Sequence, residues 1–177
     1  MARLSELGID FDHWCFACGR ANPSGLHLDF EVGRERARTT FTARREHTGY
    51  EGAVHGGIVS ALLDETMGWA IFQQGIWGVT AKLDVTFRKP VPVGEELVVT
   101  GEVHKQGRRA VETRGEVRDH AGALLAEGTG LFVVMPEARR AEMERRYTRI
   151  DEAFAKVRAA IDAEEEGDRK QQERART

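Results

Sequence analysis

Residues 54–65 read VHGGIVSALLDE: a histidine, two glycines, then an apolar run that ends in two adjacent acids. From Gly57 to about Gln74 there is no proline, and Ile58, Val59, Leu62, Leu63, Met67, Ala70, Ile71 and Phe72 cover most of the circumference of a helix. This pattern predicts one long helix wrapped on most sides. Burying an unpaired carboxylate in such a helix is costly, so Asp64 and Glu65 each need a partner or a task.

The segments on either side have a different period. Upstream, LHLDFEV (26–32), Gly33 and ARTTFTA (37–43) read as a hairpin, and the loop REHTGYEGAVH then feeds the helix. Downstream, Leu83, Val85 and Phe87 alternate with Lys82, Asp84, Thr86 and Arg88, as in a half-buried strand that Pro90 and Pro92 close. ELVVTGEVHK (96–105), RAVETRGEVRD (109–119) and ALLAEGTGLFVVM (123–135) follow with tight turns between them, which predicts an antiparallel meander. The economical packing is α+β, with one antiparallel sheet curled around the helix and its outer face polar or free to pair.

The ends of the chain are different in kind. Residues 1–25 form a turn-rich segment containing Cys15-x-x-Cys18, 26–136 the main domain, 137–163 an amphipathic helix, and 164–177 a charged tail expected to be disordered. In the helix, Met143, Tyr147, Ile150, Phe154, Val157 and Ile161 recur at intervals of 4, 3, 4, 3 and 4, a heptad seam. The seam is expected to dock on its own sheet or on a dimer body, with a short coiled coil as the alternative.

Composition excludes several classes. With 41% hydrophobic and 31% charged residues, the chain suits one core, and its net charge of −3 is spread without a basic face, against nucleic acid as a partner. No segment approaches the roughly 18 apolar residues of a membrane span, so a soluble cytoplasmic protein is expected. Two cysteines three residues apart are too few for a disulfide framework. They admit a Cys2His2 zinc site with His13 and His27, a redox pair, or, preferred here, a structural knuckle with free thiols.

YEGAVHGGIVSALLDETMGWA, GVTAKLDVTFRKPVPVGEELVVTGEV and EVRDHAGALLAEGTGLFVV, in this order, resemble the hotdog-fold acyl-CoA thioesterases of the PaaI-like type and the 4-hydroxybenzoyl-CoA thioesterase superfamily. The resemblance covers about residues 26–135. It implies a hotdog fold, hydrolysis of an acyl-CoA without a metal or cofactor, and a homodimer or dimer of dimers. Asp64 matches the family's acid, Thr80 the hydroxyl that positions a water or nucleophile, and His55 the histidine that helps fix the HGG turn or supports the oxyanion donors. One departure stands out: Gly49 occupies a position six residues before that histidine where relatives often carry an asparagine, leaving His47, Tyr50 or Glu51 as substitutes.

Thioester hydrolysis needs a nucleophile and hydrogen-bond donors for the carbonyl oxygen as it gains charge. Gly57, in the first turn, is expected to offer a free backbone N–H at the positive end of the helix dipole. Asp64 lies seven residues on, about 10 Å along the axis, too far to share one carbonyl group with Gly57 of the same helix. If both act, two antiparallel helices from two subunits form the site. Adjacent helical residues point about 100° apart, so Glu65 is read as a supporting acid. With Gly56 it joins Arg88, Lys89, Arg108 and Arg109 as candidates for contacting the substrate, the four basic residues through the phosphates of coenzyme A. The lack of histidine from 56 to 103 counts against a hotdog hydratase or dehydratase, and a non-catalytic acyl-CoA sensor is the remaining alternative.

Overall fold

The computed structural model describes residues 1–9, 12–146, 155–163 and 166–167 of the 177-residue chain. In chain order the elements are β1 (Ala2–Arg3), β2 (Glu31–Gly33), β3 (Arg36–Thr42), a 3-10 turn (Arg45–His47), β4 (Thr48–Tyr50), β5 (Ala53–Val54), α1 (Gly56–Phe72), β6 (Gly78–Phe87), β7 (Glu96–Gln106), β8 (Ala110–Asp119), β9 (Leu124–Val134) and α2 (Glu137–Arg146). Seven strands form one antiparallel sheet in the order β1-β2-β3-β7-β8-β9-β6, and β4 pairs with β5 apart from it.

Helix α1 lies on the inner face of this sheet. Val59, Leu62, Leu63, Thr66, Met67, Ala70 and Ile71 are its buried residues, and they meet the alternate inward positions Leu97 and Val99 of β7, Val111, Thr113 and Val117 of β8, and Ala126 and Phe132 of β9. Each large apolar side chain in this layer contributes about 1.5–3 kcal/mol by leaving water. The alternating outward positions carry charge, with Arg118 on Glu116 and Lys105 near Glu112, so the outer face is polar as the alternation predicts.

The helix comes close because the floor beneath it is glycine. Gly101 of β7 pairs with Gly115 of β8, which pairs with Gly128 of β9, making a row of three across the sheet. A Cβ on Gly101 would stand 2.8 Å from Met67 N and from Thr66 C and O, and one on Gly115 would press on Leu63 and Met67. The helix backbone therefore rests directly on the β7 backbone.

Several sequence expectations change. Residues 26–30 are not strand: Leu26, Leu28 and Phe30 are buried, but the backbone bonds to the N-terminal segment, Leu26 N to Phe16 O (2.8 Å) and Leu28 N to Ala17 O (2.9 Å). Alternating apolar residues mark a buried face, and here that face belongs to an extended segment whose partner is a turn rather than a strand. The loop before α1 contains the 3-10 turn and the β4–β5 hairpin, and α1 ends at Phe72 with Gln73 as its C-cap. Within the heptad seam, residues 155–163 are helical and Val157 and Ile161 join the core of their own chain. Tyr147, Ile150 and Phe154 lie outside the described residues, as does the 164–177 tail apart from the helical Glu166 and Gly167.

Gly101→Ala places a methyl group against backbone that no rotamer change can relieve. We expect a loss of stability of about 1–3 kcal/mol or more in urea unfolding; a variant as stable as the wild type would show that the helix does not sit this close.

Candidate active site

The N-terminus of α1 is built by its first two glycines and the histidine before them. His55 is the N-cap, and its Nδ1 accepts a hydrogen bond from Gly57 N at 2.9 Å. The expectation of a free Gly57 amide is thus not met in this conformation: the imidazole folds over it and serves as the capping acceptor that the first turn lacks. Both residues are exposed, and Gly56 packs against the Phe87 ring at the end of β6.

Gly49 touches this turn directly. A Cβ there would lie 2.8 Å from the Cα of His55, so the turn closes onto residue 49 and leaves no room for a side chain. His47 does not replace it: it is buried, its Nδ1 accepts from Arg44 N (3.0 Å), its carbonyl accepts from His55 N (2.8 Å), and its ring packs against Phe41. Tyr50 and Glu51 are exposed.

Two turns along, the acids diverge as helical geometry requires. Thr80 of β6 donates its hydroxyl to Asp64 Oδ1 at 2.8 Å, bringing together the two side chains that the sequence paired. Burial pushes the Asp64 carboxyl above its ordinary range, the Thr80 bond opposes this, and the charge of Cys15 adds to it. Ser60, one turn before Asp64, donates its hydroxyl to Gly56 O (3.0 Å) and not to the carboxylate. Glu65 faces the N-terminal segment, with its oxygens 3.7 and 3.8 Å from Cys15 Sγ. Burial, then the charge of Cys15, pushes Glu65 up to about 7. Hydrogen bonding to Cys18 holds Cys15 down to about 5, while its bond to Cys15 and burial push Cys18 up.

The four basic candidates do not form one patch. Arg88 is paired to Glu127, and with the exposed Lys89 it sits at the Phe87 end of β6. Arg108 and Arg109 occupy the β7–β8 turn at the Gly78 end, where Arg108 lines a groove with Trp77, Val134 and Arg140. The strand between the two ends spans about 30 Å.

The model of the family described as the thioesterase superfamily matches residues 51–126, which hold the HGG turn, α1, β6, β7 and β8. Human acyl-coenzyme A thioesterase 13 is 35% identical over 86 residues, 47% of this chain and 61% of that protein, so the match spans about three fifths of the curated relative. A thioesterase superfamily protein of known structure is 32% identical with a TM-score of 0.62, covering 65% of this chain and 60% of that one. Over residues 51–126 the chain is similar to the thioesterase superfamily. A second solved structure, a hypothetical thioesterase protein with coenzyme A from Streptococcus pneumoniae TIGR4, shares the hotdog fold (TM-score 0.59, 23% identity, 61% of this chain and 85% of that one).

Within this hotdog fold, two features escaped the sequence reading. The pairing of Cys15 with Glu65 joins residues 50 positions apart, which no local spacing signals. The glycine row was readable in principle, because Gly101, Gly115 and Gly128 each interrupt an otherwise continuous strand pattern, the mark of a close backbone approach.

Since His55 caps α1 with its side chain, His55→Ala is expected to lower stability by about 1 kcal/mol in urea unfolding, as loss of other side-chain caps does. An unchanged midpoint would mean that water satisfies the Gly57 amide equally well.

Proposed function

We propose that this protein hydrolyses an acyl-CoA thioester to a free acid and coenzyme A. The observation that carries the proposal is the Thr80–Asp64 bond at a half-buried carboxylate on the central helix. Thr80 holds Oδ1 and fixes the carboxylate, and Oδ2 takes the proton of a water that attacks the thioester carbon, or attacks it directly. The carbonyl oxygen gains charge and is met by a backbone N–H at a helix N-terminus; the C–S bond then breaks and the thiolate of coenzyme A leaves, and on the direct route water then splits the Asp64 anhydride to release the acid. For Gly57 to be that donor, the exposed His55 ring swings off its amide as the substrate oxygen replaces it. Crystal structures of the streptococcal relative carry an Asp-to-Ala and a Thr-to-Ala substitution sixteen positions apart, the interval that separates Asp64 from Thr80 here.

The same reading makes the active unit a homodimer. Gly57, Ser60, Ala61, Asp64 and Gly68 lie along one side of α1 and are less buried than its sheet face. Beside them β6 ends the sheet, its outer edge unpaired among the described residues and carrying exposed Val79 and Phe87. A second copy set antiparallel on this edge continues the sheet. It also places Gly57 of one subunit opposite Asp64 of the other, and Arg88 and Lys89 of one subunit at the same end as Arg108 and Arg109 of the other, within reach of the phosphates of one coenzyme A. The same reading keeps the protein in the cytoplasm.

The test is release of free thiol from short, long and aryl acyl-CoAs. Asp64→Asn should lower kcat/KM by about 10²-fold or more, and Thr80→Ala by roughly tenfold, with dimerisation intact. Turnover indifferent to Asp64→Asn would move the base to Glu65, and acyl-CoA binding without turnover in the wild type would make the protein a sensor.

A further inference from the structure

The Cys15–Cys18 turn does not stand alone, nor does it pair with His27, whose exposed ring bonds to Asn22 O at 2.7 Å. It closes over Glu65 of α1. One ligand-type atom each from Cys15, Cys18 and Glu65 lies within 4.8 Å of the others, and His13 Nε2 stands 3.9 Å from Cys18 Sγ. We propose that Cys15, Cys18 and Glu65, with His13 at the fourth vertex, form a structural zinc site that clamps the N-terminal segment onto the central helix.

The spacing suits the ion. With Zn–S bonds of about 2.3 Å, tetrahedral ligand atoms sit about 3.5–3.8 Å apart; the Cys15–Glu65 separations are 3.7 and 3.8 Å. A divalent cation displaces the ligand protons and holds two thiolates and a carboxylate together in one poorly solvated cluster, while the soft sulfur ligands select zinc over magnesium or calcium. The turn is shaped to present both thiols. Gly19 N bonds to Cys15 O at 3.0 Å, and a Cβ on Gly19 would stand 2.1 Å from His13 O and 2.6 Å from Cys15 N, so only glycine lets the chain fold back this tightly. The two backbone bonds from Leu26 and Leu28 hold the turn from outside.

His13 stands beside Cys18 but outside the close trio, so its ring must move inward as well as change tautomer. Its Nδ1 accepts from Cys15 N at 3.2 Å, which places the ring proton on Nε2. Coordination through Nε2 shifts that proton to Nδ1 and releases the Cys15 bond.

The site lies one residue from Asp64 yet faces away from Thr80, so its role is to hold the segment covering α1 rather than to take part in hydrolysis. The experiment uses the full-length protein without an affinity tag, stripped with chelator under reducing conditions and shown to be folded by circular dichroism. Cobalt(II) is then added and displaced by zinc. We expect one cobalt per chain, with thiolate-to-cobalt charge transfer and tetrahedral visible bands, a higher Tm on adding zinc, and affinity weakened roughly tenfold or more by Glu65→Gln and by His13→Ala. Folded, reduced protein without the charge-transfer band would overturn the proposal, as would affinity indifferent to Glu65→Gln, or a Cys15–Cys18 disulfide in the protein as purified.

Discussion

The contact between the backbone of α1 and the glycine row Gly101, Gly115 and Gly128 sets the geometry of everything else. Because no Cβ intervenes, Thr66 and Met67 rest on β7 itself, and Leu63 and Met67 fill the space that side chains at 115 and 128 would take. This fixes both the height of the helix above the sheet and its rotation. With the face around Leu62, Leu63 and Met67 held down, residue 64 projects toward β6 and residue 65 toward the N-terminal segment. The roughly 100° between neighbours on a helix thus becomes a division of labour between two adjacent acids. Asp64 receives the Thr80 hydroxyl, and Glu65 receives the Cys15–Cys18 turn.

The same placement explains why an apolar helix tolerates two acids. Neither carboxyl is left without a donor, and both are held above their usual range, burial being the largest cause. Their environments differ. Asp64 has a single fixed hydroxyl partner beside a stripe of small residues that the rest of its own chain leaves half-covered, whereas Glu65 is enclosed by sulfur and by the Trp69 indole. A group poised toward open space suits chemistry, and an enclosed one suits structure.

How much of this the sequence reveals depends on the range of the interaction. The span of α1, the β7–β8–β9 meander and the Asp64–Thr80 pair were legible, because period and family spacing act locally or along matched segments. The free Gly57 amide was not, since spacing places a donor in the first turn but cannot show that the ring of His55, two residues earlier, folds back to cap it. The scattering of Arg88 and Lys89 from Arg108 and Arg109 was hidden for a related reason: strand turns at opposite ends of a sheet look alike until the strands are paired. Residues 26–30 misled because burial imposes alternation on any extended segment, whether its backbone bonds to a strand or to a turn.

The central claim is that catalysis joins Gly57 of one subunit to Asp64 of another, and mixing two defective chains tests it most directly. Gly57→Pro removes the amide proton in the first helical turn, where no intrahelical backbone bond is lost, and Asp64→Asn removes the base. Each variant alone should be inactive on acyl-CoA. When the two are unfolded together, refolded and allowed to reassort, half of the dimers pair one chain of each kind, and in these one site has both groups intact while the other has neither. The account predicts recovery of about a quarter of wild-type turnover; a mixture as inactive as its components, with mixed dimers present, would place both groups in a single chain and contradict it.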